Sequence, residues 1–161
     1  MMTIEHKYYS DLYDKKDKEI LKIAEDSLNP KLDRVDEIVA YAKETGIKRI
    51  GIAHCTAFNM EATQLENIMI AEGFAVDKVN CKLGRIPFNQ LVPDYKGISC
   101  NPAGQADFLA EKKTELNIMM GLCLGHDMIF NSKSKAPVTP LLVKDRNLKH
   151  QTINRFKTGN N

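Results

Sequence analysis

Short apolar runs alternate with segments of helical periodicity through the middle of the chain, and that alternation leaves few folds open. Residues 48–53 (KRIGIA), 74–80 (FAVDKVN), 116–121 (LNIMMG) and 139–143 (TPLLV) are apolar runs flanked by glycine or polar residues and too short for helices of their own, so they read as strands. Between them, residues 58–72 carry Ala62, Leu65, Ile68 and Met69 at helical spacing. Residues 101–110 open on Asn101-Pro102 and carry Ala103, Ala106, Leu109 and Ala110, and a short helix begins at 125–130. Strands that alternate with helices are joined by right-handed crossovers and build a parallel sheet. The expected fold is a small Rossmann-like three-layer α/β domain with a parallel sheet of about four strands. Pro140 assigns the fourth strand to an edge, because proline cannot donate to a neighbour. Strand order does not follow from the spacing.

The remainder of the chain is organised around that unit. Residues 1–16 read as an N-terminal arm, 17–150 as one α/β metal-binding domain, and 151–161 as a polar tail. Helical spacing of Ile20, Ile23, Ala24 and Leu28 predicts a helix over 17–28. Asn29-Pro30 reads as an N-cap followed by proline at the first helical position, with Leu32, Val35, Val39 and Ala42 forming the stripe of a second helix and Gly46 its C-cap. The loop at 82–99, rich in turn residues, is longer than ordinary connections. A net charge of +2 from 23 basic and 21 acidic side chains argues against a protein whose main work is gripping nucleic acid or an anionic membrane. No apolar run approaches the roughly 20 residues a membrane helix needs. The first 17 residues are polar and lack the apolar stretch of a secretory signal. The expected location is therefore the cytoplasm, where cysteines are more often metal ligands or reactive thiols than disulfides.

There are four cysteines, and the predicted fold gathers them. Cys55 follows the first strand, Cys81 the second and Cys123 the third, while Cys100 immediately precedes the helix at Asn101-Pro102. All four thus fall on the edge where open α/β sheets bind ligands. Cysteine also packs as a small hydrophobe, but four ionised thiols in close company repel unless a cation holds them. Zinc would take four thiolates in a tetrahedron, and a cubane iron–sulfur cluster would use the same four. None of the cysteines falls in a Cys-x-x-Cys pair, a scatter that disfavours the compact knuckles of structural zinc and favours the 4Fe–4S cluster.

Cys123 sits in Gly121-Leu122-Cys123-Leu124-Gly125-His126-Asp127. A strand, then G-x-C-x-G, then a helix is the layout of a nucleophile elbow, and a helix N-terminus lowers a thiol pKa. Cys123, His126 and Asp127 are accordingly the candidate catalytic residues. His54 precedes Cys55 and is expected on the opposite face of its strand. Lys82, Arg85, Asn101 and Gln105 flank Cys81 and Cys100 and are candidate cofactor-binding residues, and Lys144, Asp145 and Arg146 follow the fourth strand. A basic rim around an anionic cluster or substrate is electrostatically reasonable.

Two resemblances bear on this. GLCLGH resembles the cysteine elbow of class I glutamine amidotransferases over about six residues, yet the downstream His-x-Glu of that family is absent, since His150 is followed by Gln151-Thr152. IGIAHC, NCKLG, CNPAGQA, GLCLGHD and SKAPVTPLLVKDR together resemble an uncharacterised prokaryotic family of predicted cysteine-rich metal-binding proteins. That resemblance implies a metal held by Cys55, Cys81, Cys100 and Cys123. It also implies a further N-terminal cysteine cluster, which residues 1–54 lack. The leading expectation is a cytoplasmic metalloprotein with an iron–sulfur cluster, or else zinc, in redox or sulfur chemistry. Its partner would be a small molecule or a redox protein, with homo-oligomerisation left open. The alternatives are a cysteine-nucleophile enzyme acting through Cys123 and a non-catalytic small-ligand module.

Overall fold

The computed structural model describes residues 9–157; the first eight residues of the expected arm and the last four of the expected tail lie outside them. The chain forms two compact units, divided between Gly46 and Ile47.

The first unit is helical. Helix α1 (Lys15–Asp26) begins with a capping box, in which Asp14 Oδ1 accepts from the Asp17 backbone N–H at 2.8 Å and Asp17 Oδ2 accepts from the Asp14 N–H at 3.0 Å. This satisfies two of the donors that every helix start leaves open. Helix α2 (Arg34–Glu44) starts later than Asn29-Pro30 predicts. Asp33 is its cap, accepting from Val35 and Asp36 N–H at 2.9 and 3.0 Å. Asn29 turns its side chain onto the Lys31 N–H instead. Both residues can cap, but Asp33 lies directly ahead of the stripe that becomes buried, which is Ile38, Val39 and Ala42.

The second unit is a four-stranded parallel sheet with helices on both faces, a small Rossmann-like α/β domain. Its strands are β1 (Arg49–His54), β2 (Ala75–Asn80), β3 (Leu116–Met120) and β4 (Val138–Leu142), in the order β2-β1-β3-β4. Helix α3 (Asn59–Ala71) connects β1 to β2, α4 (Pro102–Glu111) connects β2 to β3, and α5 (His126–Lys133) connects β3 to β4. Pro140 lies on an edge strand, as its missing N–H requires. Because β1 is followed by its neighbour on one side and β3 leads to the other side, the connections after β1 and β3 leave toward opposite faces. The boundary between β1 and β3 is therefore the topological switch point of this sheet.

Register fixes which side chains share a face. Ala53 pairs with Val79 and Met119, and all three enter one apolar cluster with Ala106 and Leu109 of α4 and Phe130 of α5. Gly51 and Asn117 lie on this same face, where Asn117 Nδ2 donates to Ser134 Oγ at 2.8 Å. A methyl group at Gly51 would overlap the Asn117 side chain and crowd Leu109, so only glycine lets α4 approach the sheet there. Ile50, Ile52, Ile118 and Met120 alternate onto the other face and are fully buried or nearly so. On that face Lys78 reaches Glu66 and Thr63 of α3 at 2.5 and 2.7 Å. In α4, Gln105 is wholly buried with Pro102, Ala106 and Leu109, whereas the apolar pattern predicts Ala103 and Ala110 there. Residues 152–156, within the expected polar tail, form a short 3-10 helix.

The N-terminal edge of the sheet is tied by one carboxylate. Glu115 accepts from the Lys48 and Arg49 backbone N–H groups at 2.7 and 2.9 Å, and those two bonds hold its carboxyl below the usual glutamate range. A depressed carboxyl pKa stabilises the fold above the unfolded-state value of about 4.3 and loses that contribution as pH falls through the folded value. Replacing Glu115 with Gln is expected to cost about 0.5–1 kcal/mol at neutral pH, kept small by solvent screening of an exposed group. The stability gap between wild type and E115Q, measured by urea unfolding, should close as pH is lowered through the acid range.

Candidate functional site

The strands end where the cysteines begin. Beyond β1, the Cys55 N–H donates to the Met120 carbonyl at 3.1 Å, and beyond β2 the Cys81 N–H donates to the His54 carbonyl at 2.9 Å. Both residues thus extend the parallel ladder by one step past their strands. Side chains alternate, so Cys55 and Cys81 fall on the face of Ala53 and Val79, and both join the apolar cluster under α4 and α5. His54 alternates to the opposite face, as expected. There burial lowers its pKa, and its Nδ1 donates to the Cys55 carbonyl at 3.0 Å, which fixes the proton on that nitrogen.

Cys100 arrives from a different direction. The 82–99 loop closes on itself through Asn101 N–H to the Cys81 carbonyl at 2.7 Å, Ser99 N–H to Ile86 at 2.9 Å and Phe88 N–H to Gly97 at 2.8 Å. Lys82 Nζ adds a bond to the Ile98 carbonyl at 2.7 Å. This closure places Cys100 Sγ 3.7 Å from Cys81 Sγ. Asn101 then caps α4, accepting from the Gly104 N–H at 2.8 Å while donating to the Leu83 carbonyl at 3.1 Å.

Cys81 and Cys55 differ in their electrostatics. Burial pushes the Cys81 thiol up to about 11; the Thr56 N–H opposes this, while Cys100 and Cys55 add to it. Burial acts on Cys55 in the same direction, but the Ala57 backbone N–H and Lys144 outweigh it and hold this thiol below its ordinary value. Lys144 Nζ lies 3.1 Å from Cys55 Sγ. Cys123 has its own cation, with Arg146 Nη2 at 3.3 Å from its sulfur. Both cations come from the segment after β4, which is folded tightly. Asp145 N–H donates to His150 Nδ1 at 3.0 Å, His150 N–H donates to the Asp145 carbonyl at 2.7 Å, and Leu148 N–H donates to Asp145 Oδ1 at 2.9 Å.

Phe58 links these parts. Its ring stands edge-on to His150 with centroids 4.6 Å apart, and Lys144 Nζ lies 5.2 Å from its centroid. It packs against Gly121, the first residue after β3, which has φ +61°. A Cβ there would overlap the Phe58 ring. A buried aromatic ring thus sits at the β1–β3 switch point, between the loop that carries Cys55 and the loop that carries Cys123.

The other candidate residues are placed as follows. The His126 and Asp127 N–H groups donate to the Cys123 carbonyl at 2.9 and 3.1 Å. Among the described residues no hydrogen bond joins His126 to Cys123 Sγ, and Asp127 Oδ1 accepts from the Met128 N–H. Arg85 is exposed in the 82–99 loop. Lys82 and Asn101 are engaged in closing that loop. Gln105 clamps the strand ends, donating to the His54 and Val79 carbonyls at 3.2 and 3.0 Å. Its Oε1 is buried without a hydrogen-bond partner. Among the described residues, no three His, Cys, Asp or Glu side chains stand together ready to grip one ion. Neither Phe58 nor the pairing of Lys144 and Arg146 with individual sulfurs follows from residue spacing. The signal present was three charged residues directly after an edge strand.

Residues 2–141 match the family described as "protein of unknown function (DUF1847)". The chain belongs to this family. It is also 41% identical over 154 residues to an uncharacterised protein of Methanocaldococcus jannaschii, covering 89% of this chain and 79% of that one. The family match takes in all four cysteines and ends before Lys144 and Arg146. Among the described residues no helix is long and apolar enough to cross a membrane.

Two substitutions test this construction. Gly121→Ala combines a left-handed backbone with a steric conflict against a buried ring, and is expected to cost about 2–4 kcal/mol in chemical denaturation. Lys144→Met removes the cation beside Cys55. That thiol should ionise at higher pH, and its alkylation by iodoacetamide near neutral pH, followed by peptide mass spectrometry on metal-free protein, should slow. An unchanged rate would mean that Lys144 does not act on Cys55.

Proposed function

We propose that this chain is a thiolate metalloprotein whose ligands come from Cys55, Cys81, Cys100 and Cys123 at the C-terminal edge of the sheet. The observation that carries the reading is the Cys81–Cys100 sulfur separation of 3.7 Å. Zinc–sulfur bonds of about 2.3 Å in a tetrahedron set neighbouring sulfurs about 3.8 Å apart. Two of the four candidate ligands thus already stand at the spacing of one edge of such a site. Cys55 neighbours Cys81 and supplies the third sulfur, and Cys123 the fourth.

The chain's own residues do the rest. Lys144 and Arg146 offset negative charge at Cys55 and Cys123, Gln105 holds the ends of β1 and β2 together, and Phe58 keeps water from the switch point. A bound metal would supply either electron transfer, if iron, or Lewis acidity or structural restraint, if zinc. The close pair favours a single four-coordinate ion. A 4Fe–4S cluster is the second reading, favoured by the wide scatter of the ligands along the chain and by the absence of a Cys-x-x-Cys pair. Placement in the cytoplasm and a redox role belong with the same reading.

Anaerobic purification followed by metal analysis, acid-labile sulfide assay and an absorption spectrum separates these outcomes. A single ion gives about one zinc or iron without sulfide, and the cubane gives about four of each. Cys81→Ser and Cys100→Ser should each strip the metal. Anaerobic protein free of both metals would overturn the reading.

A further inference from the structure

We propose that Cys81 and Cys100 form a reversible disulfide that closes the candidate site against metal. The inference rests on the metal reading for its consequence, but on geometry alone for the bond itself. The two sulfurs are in contact at 3.7 Å, and both cysteines are free thiols. The backbone holds them together independently of their side chains. Asn101 N–H to the Cys81 carbonyl, Ser99 N–H to Ile86, Lys82 Nζ to the Ile98 carbonyl and the Pro87–Ile98 bridge all fasten the two ends of the 82–99 loop. A disulfide requires side chains that converge from closely spaced backbones, and this loop supplies that arrangement. Of the two remaining cysteines, Cys123 has Arg146 at 3.3 Å, and Cys55 has Lys144 at 3.1 Å in addition to Cys81 beside it. Cys100 is half-buried while Cys81 is buried, so Cys100 is the sulfur an oxidant meets first.

The oxidant is a low-molecular-weight disulfide, RSSR. The Cys100 thiolate attacks one sulfur of RSSR, forming a Cys100–S–SR mixed disulfide and expelling RS⁻, which takes up the proton released from Cys100. Cys81, also as its thiolate, attacks Cys100 Sγ, forming the Cys81–Cys100 bond and expelling the second RS⁻, which takes up the proton from Cys81. Two protein thiols lose two electrons and two protons, and one RSSR becomes two RSH. The oxidised pair has no thiolate left to donate, so the site loses two of its ligands.

The test uses the full chain, stripped of metal under reductant, freed of excess thiol and exposed to oxidised glutathione before quenching with N-ethylmaleimide. Trypsin places the four cysteines on four separate peptides, 50–78, 79–82, 97–112 and 114–133. Expected are the loss of two of the four thiols per chain and a dominant cross-link between peptides 79–82 and 97–112. That bond should survive in Cys55→Ser and be reversed by reduced glutathione. Stable glutathione adducts without an internal bond would overturn the proposal, as would a dominant link from 79–82 to 50–78 or a scrambled mixture. Zinc added to reduced protein before the oxidant should suppress the cross-link. If the bond forms equally fast with zinc present, the pair is not shared with a metal and the regulatory role fails. Because the cross-link is mapped on metal-free protein, its formation is scored separately from whether the chain holds metal at all.

Discussion

The parallel register of β1, β2 and β3 is the constraint on which the site depends. Ala53, Val79 and Met119 align across three strands, so the residue that follows β1 or β2 by one position arrives at the same edge and, by alternation, on the face of Ala53 and Val79. Cys55 and Cys81 are placed by that rule alone. Their backbones continue the ladder for one more hydrogen bond each, so the rigidity of the sheet reaches as far as the sulfurs. Cys100 does not belong to a strand, and its position depends on the cinched 82–99 loop. The close sulfur pair is therefore a meeting of one thiol fixed by the sheet with another fixed by a loop.

Electrostatics then separates what topology brings together. Burial disfavours the thiolate at both Cys81 and Cys55, and at Cys81 nothing outweighs it. At Cys55 a backbone N–H and Lys144 reverse the balance. The segment that carries Lys144 and Arg146 starts at the end of an edge strand and is folded by the mutual bonds of Asp145 and His150. His150 in turn packs on Phe58, which lies over Gly121. A single contiguous chain of contacts thus runs from the cation at Cys55 through the aromatic ring to the loop that holds Cys123.

Most of the fold was legible because it rests on local pattern. Strand runs, the Asn101-Pro102 helix start and the edge position of Pro140 each have a short-range physical cause, and each was found. The cap of α2 is not fixed by local pattern, because Asn29 and Asp33 offer the same chemistry four residues apart, and only burial of Ile38, Val39 and Ala42 decides between them. The neighbourhood of Gln105 in the sequence points to the site, but nothing there shows that its side chain occupies the core. A buried glutamine inside an alanine-rich helix requires two strand carbonyls to meet it, and those belong to β1 and β2, 51 and 26 residues earlier. Strand order was likewise out of reach, because no residue in β2 or β3 records which neighbour it will have.

The placement of Cys55 and Cys81 one step past their strands was legible, but the partner of each sulfur was not. Position after a strand predicts the edge, whereas the identity of each sulfur's partner depends on residues 89 and 23 positions away, Lys144 from Cys55 and Arg146 from Cys123. Those partners have a chemical consequence. Cys55 and Cys123 each have a cation beside the sulfur, whereas Cys81 and Cys100 face each other and are suited to share either one ion or one bond. A metal and a disulfide are alternative ways to relieve the same close contact, and they exclude each other because both consume the same sulfur electron pairs. The metal-binding and redox readings of this edge are therefore linked by geometry, and the Cys81–Cys100 separation is the quantity that links them.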